Sequence, residues 1–152
     1  MRDVVGLTEE PAEISAEVVR RLEDRYRRKL PLIAGAQQAV ERIAERWPLA
    51  LASSSNRELI DLVLESSGLG RYFEANVSSE EVARGKPAPD VFLEAARRLG
   101  AEPSRCAAVE DSENGILAAK AAGMRTICHP QPSVPAARRC ARGSRRRPRH
   151  HP

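Results

Sequence analysis

The chain has 152 residues, 41% of them apolar, which is enough for one domain with a hydrophobic core. No segment approaches the ~20 consecutive apolar residues of a membrane helix, and the N-terminus has no signal-peptide pattern. Three widely spaced cysteines argue against a disulfide framework and against a zinc cluster. A membrane or secreted protein is therefore not expected, and a cytoplasmic location is predicted.

The formal net charge of +4 is unevenly distributed along the chain. Residues 138–152 contain seven arginines and no acidic residue, whereas the rest of the chain has 18 basic and 21 acidic residues. A mildly acidic domain is thus followed by a basic tail. The tail is no argument that the domain itself binds nucleic acid.

Composition divides the chain into three predicted regions. Residues 1–30 carry an apolar residue at every fourth position from Ile14 to Leu30, which predicts a helix with one narrow apolar face. Residues 31–130 alternate short apolar runs with helix-period segments and are predicted to form an α/β core. Residues 131–152 are rich in arginine and proline, cannot bury enough surface to offset their ordering entropy, and are predicted to be disordered.

Within the predicted core, strands and helices alternate. The predicted strands are residues 49–52, 75–77, 106–109 and 126–128. The predicted helices are residues 36–47, 59–64, 89–99 and 116–122. This order favours parallel pairing with right-handed crossovers, hence an α/β fold with helices on the sheet. Ligands in such folds bind at the carboxyl ends of the strands, where loops and helix N-termini converge.

Ser53 follows the first predicted strand, and Ser54 and Ser55 open the next helix. A serine hydroxyl beside free backbone N–H groups can hold an anionic oxygen. The alternative is a serine that only caps the helix.

Lys86 lies in the segment Gly-Lys-Pro-Ala-Pro-Asp at residues 85–90, just before a predicted helix. The chain has 22 arginines but only three lysines, so a lysine in a segment stiffened by two following prolines indicates that a compact point charge is needed there. The alternative is a solvated lysine in a proline-rich turn.

Glu110 and Asp111 directly follow the third predicted strand. Adjacent carboxylates repel each other unless a cation neutralises them, and an oxygen-only ligand set suits Mg²⁺. An acidic cap that complements the helix dipole would explain one of these carboxylates but not both.

Together these three segments resemble the haloacid dehalogenase superfamily of phosphatases and phosphomutases, over residues 31–128. Residues 51–55 (Leu-Ala-Ser-Ser-Ser) are similar to its second motif, residues 85–90 to its third, and residues 109–116 with 121–124 to its fourth. The Glu-Asp-Ser form is similar to the subgroup that contains β-phosphoglucomutase. The resemblance implies a Rossmann-like parallel sheet sandwiched by helices, here incomplete, with residues 1–30 as the remnant of a helical cap.

The resemblance also implies a role for each residue. Ser53, with the Ser54 backbone N–H, would bind a phosphoryl oxygen, and Lys86 would neutralise charge on the phosphoryl group and on the attacking carboxylate. Asp111 would bind Mg²⁺, with Glu110 as a direct or water-mediated second ligand. The implied activity is that of a Mg²⁺-dependent phosphatase or phosphomutase acting through an aspartyl phosphate on a small phosphate ester, with a sugar phosphate favoured.

The family's first motif, an apolar strand ending in Asp-x-Asp-Gly-Thr, is not found, since no Asp-x-Asp occurs in the sequence. The expectation is a truncated chain that is inactive alone, with two interior strand edges that are unpaired or close on each other. The alternative is a non-catalytic remnant that binds phosphate or a partner.

The arginine-rich tail has two interpretations. A reading-frame change in GC-rich DNA could produce it, or it could be a basic arm that touches nucleic acid or acidic lipid. The first is favoured, so neither nucleic acid nor a membrane is an expected partner. The resemblance implies a small phosphorylated metabolite as the partner. The sequence does not determine the oligomeric state.

Overall fold

The computed structural model of the chain describes residues 10–128. The predicted tail at residues 131–152 lies outside the described residues. The helices of this part are α1 (Pro11–Arg28), α2 (Ala36–Ala44), α3 (Arg57–Ser67), α4 (Asp90–Arg98) and α5 (Glu113–Ala121). The strands are β1 (Ala50–Ser53), β2 (Ala75–Ser78), β3 (Ala107–Glu110) and β4 (Arg125–Cys128). Short 3₁₀ turns occupy Gly70–Tyr72, Ser79–Glu81 and Pro103–Arg105.

All strand pairing in the described part is parallel, as predicted. β1 pairs with β2, with Ser53 opposite Ser78, and β3 pairs with β4, with Glu110 opposite Cys128. These are two separate two-stranded sheets, and no ladder joins β1 to β3 within residues 10–128. The prediction of an incomplete parallel sheet with unpaired interior edges agrees with this arrangement.

One apolar core lies beneath both sheets. Its buried residues are Val77, Val91, Phe92, Ala95, Ala108, Ala118, Ala119 and Ala122. The small alanine side chains of α4 and α5 let these helices pack close to the strands. Helix α4 packs on β1 and β2, α5 packs on β3 and β4, and the two helices contact each other, so both sheets share one apolar core. A second cluster of Ile60, Leu64 and Leu69 packs with Leu51 of β1, and α1 packs against α3.

Capping side chains start α3 shortly after β1 and α5 shortly after β3. Asn56 accepts the Leu59 N–H through Oδ1 at 3.3 Å, and Ser112 accepts the Gly115 N–H through Oγ at 3.0 Å. The helix α3 then ends at Gly68, whose φ of 65° is the left-handed conformation that glycine adopts without strain. Both helix N-termini therefore lie at the carboxyl ends of parallel strands, where a ligand was expected.

The predicted boundaries of β3 and α5 were off by a few residues. Glu110 is the last residue of β3 and does not follow it, and α5 begins at Glu113 and not at residue 116. The reason is the Ser112 cap, which starts the helix before its first large apolar residue.

Cys106 is a half-buried free thiol whose Sγ lies 3.4 Å from the Glu102 carbonyl oxygen. None of the helices in the described part is long and apolar enough to cross a membrane.

Candidate functional site

Lys86 joins the carboxyl ends of β1 and β3. Its Nζ donates a hydrogen bond to the Ala52 carbonyl oxygen of β1 at 3.1 Å and forms an ion pair with the Glu110 carboxylate of β3. The Lys86 side chain is 8% exposed and that of Glu110 is 9% exposed. The alternative of a solvated surface lysine is therefore wrong, and a buried ammonium links two of the three predicted segments.

The aromatic ring of Phe92 adds a further contact to the Lys86 ammonium. Its centroid lies 4.6 Å from Nζ, close enough for the ring face to attract the charge. A buried ammonium is stable only when such partners replace its lost hydration. Helix α4, which carries Phe92 into the core, thereby fixes the position of the Lys86 charge.

The carboxylate of Glu110 lies against the N-terminal end of α5. Its Oε2 accepts hydrogen bonds from the N–H of Asp111 at 3.3 Å, from the N–H of Ser112 at 3.4 Å and from the Ser112 hydroxyl at 3.1 Å. The positive end of the helix dipole favours a negative charge at this point. The alternative of an acidic residue that complements the helix dipole is thus correct for Glu110, which also pairs with Lys86. Asp111 is exposed beside it.

Gly115 makes room for this carboxylate. A Cβ atom at residue 115 would lie 2.1 Å from Cδ of Glu110, so no side chain fits while Glu110 keeps its place. This role of Gly115 was not predicted from the sequence. The available signal was a glycine in the first turn of a helix, because glycine has a low helix propensity.

Ser53 is half-buried at the end of β1, and Ser54 next to it is exposed. Ser53 Oγ accepts the N–H of Ser55 at 3.1 Å, which uses an oxygen lone pair and leaves the hydroxyl hydrogen to donate. The N-cap of α3 is Asn56, so Ser53 does not cap this helix. Lys86 bonds to the carbonyl of the preceding residue, which puts its ammonium beside the start of this loop.

Residues after β2 support the loop at residues 53–55, and no functional role was predicted for them from the sequence. Ser78 Oγ donates to the Ser55 carbonyl oxygen at 2.8 Å, and Ser79 Oγ donates to the Ser54 carbonyl oxygen at 3.0 Å. A signal was present, since Ser78 and Glu81 have the S-x-x-E spacing of a capping box, which the structure contains.

Glu81 anchors these serines to two helices. Its carboxylate accepts the Ser78 N–H at 2.8 Å and pairs with Arg98 of α4 at 2.7 Å and with Arg57 of α3. The Ser78 N–H, Arg98 and Arg57 lower the pKa of Glu81 from 4.5 to about 2, because each stabilises the charged form.

The oxygen ligands at this edge of the sheet fit Mg²⁺ chemically. Mg²⁺ in proteins is usually held by one or two carboxylates, with waters and substrate phosphate completing an octahedral set. Glu110 and Asp111 supply two carboxylates in sequence. Among residues 10–128 no three His, Cys, Asp or Glu side chains are grouped as a complete metal site.

The fold and the site together define an α/β protein whose polar site lies at the carboxyl ends of parallel strands. A profile of the haloacid dehalogenase-like hydrolases matches residues 3–123, and the chain belongs to this family. The resemblance seen in the sequence is thereby confirmed.

Individual relatives agree with this family. Hexitol phosphatase B of Escherichia coli K12 is 38% identical over 123 residues, which are 80% of this chain and 55% of that protein. Fructose-1-phosphate phosphatase YqaB of the same strain is 42% identical over 82 residues, which are 54% of this chain and 44% of that protein. The chain spans about half the length of these curated relatives.

A solved structure confirms the fold. The putative beta-phosphoglucomutase of Thermotoga maritima superposes with a TM-score of 0.68 at 28% identity, over 82% of this chain and 59% of that one. The α/β class and the Rossmann-like arrangement predicted from the sequence are therefore correct.

Proposed function

We propose that this chain holds the phosphoryl group of a small phosphate ester, as part of a phosphatase or phosphomutase of the haloacid dehalogenase family. The observation that carries the proposal is the buried Lys86 ammonium, which contacts both the Ala52 carbonyl of β1 and the Glu110 carboxylate of β3. A fixed positive charge at converging strand ends is what phosphoryl transfer needs, because negative charge spreads over the equatorial oxygens in the transition state.

Each predicted residue has a role in the proposal. The Ser53 hydroxyl donates to a phosphoryl oxygen, assisted by the Ser54 backbone N–H. Lys86 neutralises the phosphoryl charge, and in doing so shares its ammonium between the ligand and Glu110. Because Lys86 is already desolvated and oriented, binding pays little further ordering cost.

Asp111 and Glu110 are the proposed Mg²⁺ ligands, with Glu110 binding directly or through water. When bound, the metal would supply further positive charge to the phosphoryl group. The support is the oxygen-only donor set next to Lys86. In the structure the Glu110 carboxylate pairs with Lys86 and accepts N–H groups at the start of α5. To bind Mg²⁺ directly, one of its oxygens would have to contact the metal as well as one of these partners.

A sugar phosphate is the proposed substrate class, since two relatives are phosphatases named for a hexitol and for fructose 1-phosphate. The 152 residues contain no Asp-x-Asp, so we propose that they lack turnover when purified alone. The lack of an Asp-x-Asp sequence also favours the second candidate function, that of a non-catalytic protein that binds phosphate or a partner. The cytoplasmic location stays a prediction.

An anion titration tests the site. We expect inorganic phosphate, added with MgCl₂ to the ¹⁵N-labelled chain, to shift the amide signals of residues 53–55 and 110–115. Lys86→Met removes the charge at similar length and should weaken phosphate affinity at least tenfold, since a charged hydrogen bond contributes ~1.5–3 kcal/mol. Lys120→Met, on the exposed end of α5, is the control and should bind like the wild type. Equal affinity of the Lys86→Met variant, or shifts confined to other residues, would refute the proposal.

A hydrolysis assay distinguishes a catalytically active chain from one that only binds phosphate. With MgCl₂ and an aryl phosphate, the purified chain should show no hydrolysis above that of buffer. Robust hydrolysis that Asp111→Asn abolishes would show that the chain is catalytically complete as it stands, and the prediction of inactivity would be wrong.

A further inference from the structure

The loop that carries Ser53 is held from outside by the turn that follows β2. We call residues 53–55 the serine loop and residues 78–81 the supporting turn. Ser78 and Ser79 donate hydrogen bonds to the carbonyl oxygens of Ser55 and Ser54, respectively, at 2.8 and 3.0 Å. Two successive carbonyls of the serine loop are thus fixed by two successive side chains of the supporting turn.

The direction of the Ser78 hydrogen bond is determined by its second contact. Ser78 is fully buried, and its Oγ also accepts the Glu80 N–H at 3.1 Å. Since the N–H can only donate, the lone pair of Ser78 Oγ takes that bond and its hydrogen goes to the Ser55 carbonyl. The hydroxyl hydrogen and one of its two lone pairs are therefore engaged, and the hydroxyl cannot rotate without loss of a bond.

The peptide unit between Ser54 and Ser55 connects the supporting turn to Ser53. Its carbonyl oxygen, that of Ser54, accepts from Ser79 Oγ, and its N–H, that of Ser55, donates to Ser53 Oγ at 3.1 Å. Because a peptide unit is planar, the Ser79 contact orients the N–H that Ser53 Oγ accepts, and so limits the side from which the Ser53 hydrogen can donate. Ser78 holds the next carbonyl of the loop, that of Ser55. Ser53 Oγ is the group proposed to bind the phosphoryl oxygen.

The supporting turn is itself anchored. Glu80 accepts the Arg57 N–H through Oε2 at 3.0 Å, at the start of α3. Glu81 accepts the Ser78 N–H and pairs with Arg57 and Arg98, which tie the turn to α3 and α4. The turn is thus connected to the same two helices that pack beside the site, and it can act as a rigid support.

We propose that Ser78 and Ser79 are positioning residues, which set the geometry of the serine loop for phosphoryl binding without touching the phosphate. This inference rests on the proposed function of Ser53 and extends it to the strand next to β1. The gain is preorganisation, because a loop already held in its binding geometry loses less conformational freedom when the ligand arrives.

Ser79 offers the cleaner test, because it is less buried than Ser78, whose truncation would leave both the Ser55 carbonyl and the Glu80 N–H without their hydroxyl partner. Ser79→Ala removes the hydrogen bond to Ser54, and Ser79→Thr keeps the hydroxyl. Ser104→Ala, at an exposed position of the Pro103–Arg105 turn, is the matched control. Two measurements are made on each variant: the affinity for inorganic phosphate by ¹⁵N titration, and the hydrogen exchange of the Ser54 and Ser55 amides without phosphate.

We expect Ser79→Ala to weaken phosphate affinity about 3- to 10-fold, the effect of one lost hydrogen bond, and to speed amide exchange in the serine loop. Ser79→Thr should restore both, and Ser104→Ala should change neither. Faster exchange with unchanged phosphate affinity would overturn the inference, since Ser79 would then have only a structural role. Unchanged exchange and affinity would overturn it too. A wild-type chain that binds no phosphate at residues 53–55 would instead refute the proposed function.

Discussion

At the residue scale, the Glu110 carboxylate and Gly115 fit together as a pair. The carboxylate occupies the space where any other residue at position 115 would place its Cβ, only 2.1 Å from Cδ of Glu110. That position lets one carboxylate neutralise Lys86 and accept two backbone N–H groups. A glycine with low helix propensity thus makes room for a buried ion pair.

Gly115→Ala should therefore destabilise the protein by about 2–4 kcal/mol, because Glu110 must leave and Lys86 stays buried without its partner. Urea unfolding followed by circular dichroism measures this. Gly85→Ala is the control, since a Cβ there would meet its nearest neighbour at 3.8 Å.

The same substitution in a Glu110→Ala background isolates the clash. With the carboxylate gone, alanine at position 115 should be neutral or stabilising by up to ~1 kcal/mol, from helix propensity alone. An equal loss of stability in both backgrounds would contradict the role assigned to Gly115.

At the element scale, charged side chains join α3, β2 and α4. Arg57 and Arg98 both donate to the Asn76 carbonyl oxygen of β2, at 3.0 and 2.8 Å, and both pair with Glu81. Within the described sheets β2 has only β1 as a neighbour, so these guanidinium groups cover its outer edge. An edge covered in this way is protected from pairing with another chain.

The low pKa of Glu81 gives this network a pH dependence. Its pKa is about 2 in the folded protein and 4.5 without the network, so the stabilisation is complete above pH 4.5 and is lost as the pH falls towards 2. Because 29% of the side chain is exposed, solvent screening reduces the effect to about 1 kcal/mol.

The free energy of unfolding of the wild type and of Glu81→Gln should thus differ by about 1 kcal/mol at pH 6 and converge near pH 2. Glu65→Gln, on the exposed face of α3 and outside this network, is the matched control for the loss of one carboxylate. A gap between wild type and Glu81→Gln that persists at pH 2 would contradict this account.

The elements also show what the sequence could predict. Apolar periodicity and turn residues identified each described helix and strand, since these signals are local. Side-chain chemistry in short segments identified Lys86 and Glu110, which the structure brings together. The supporting turn was missed because the contacts of Ser78 and Ser79 join residues more than 20 positions apart. No local pattern contains that pairing.

At the scale of the whole molecule, the main feature is that no ladder joins β1 to β3 in the part of the chain that the structure describes. On the outer face of the β3–β4 pair, Val109 is 62% exposed and Ile127, directly opposite it, is 56% exposed. Parallel strands are normally covered on both faces, and a two-stranded sheet contributes little stability by itself. The open edges and this exposed apolar face predict that the β3–β4 pair is the least stable part of the sheet layer.

Hydrogen exchange followed by NMR should therefore show weaker protection for the amides of β3 than for those of β2, whose Val77 and Ser78 are fully buried. Slow exchange in β3, equal to that in β2, would contradict the prediction.

The central claim is that one phosphoryl group is bound by both Ser53 and Lys86. A crystal structure of the chain grown with orthophosphate tests this most directly. We predict a phosphate whose oxygens lie within about 3 Å of Ser53 Oγ and of Lys86 Nζ, with the Lys86 ammonium still in contact with β1. An ordered phosphate found only at other residues, while Ser53 and Lys86 keep their present contacts, would contradict the account.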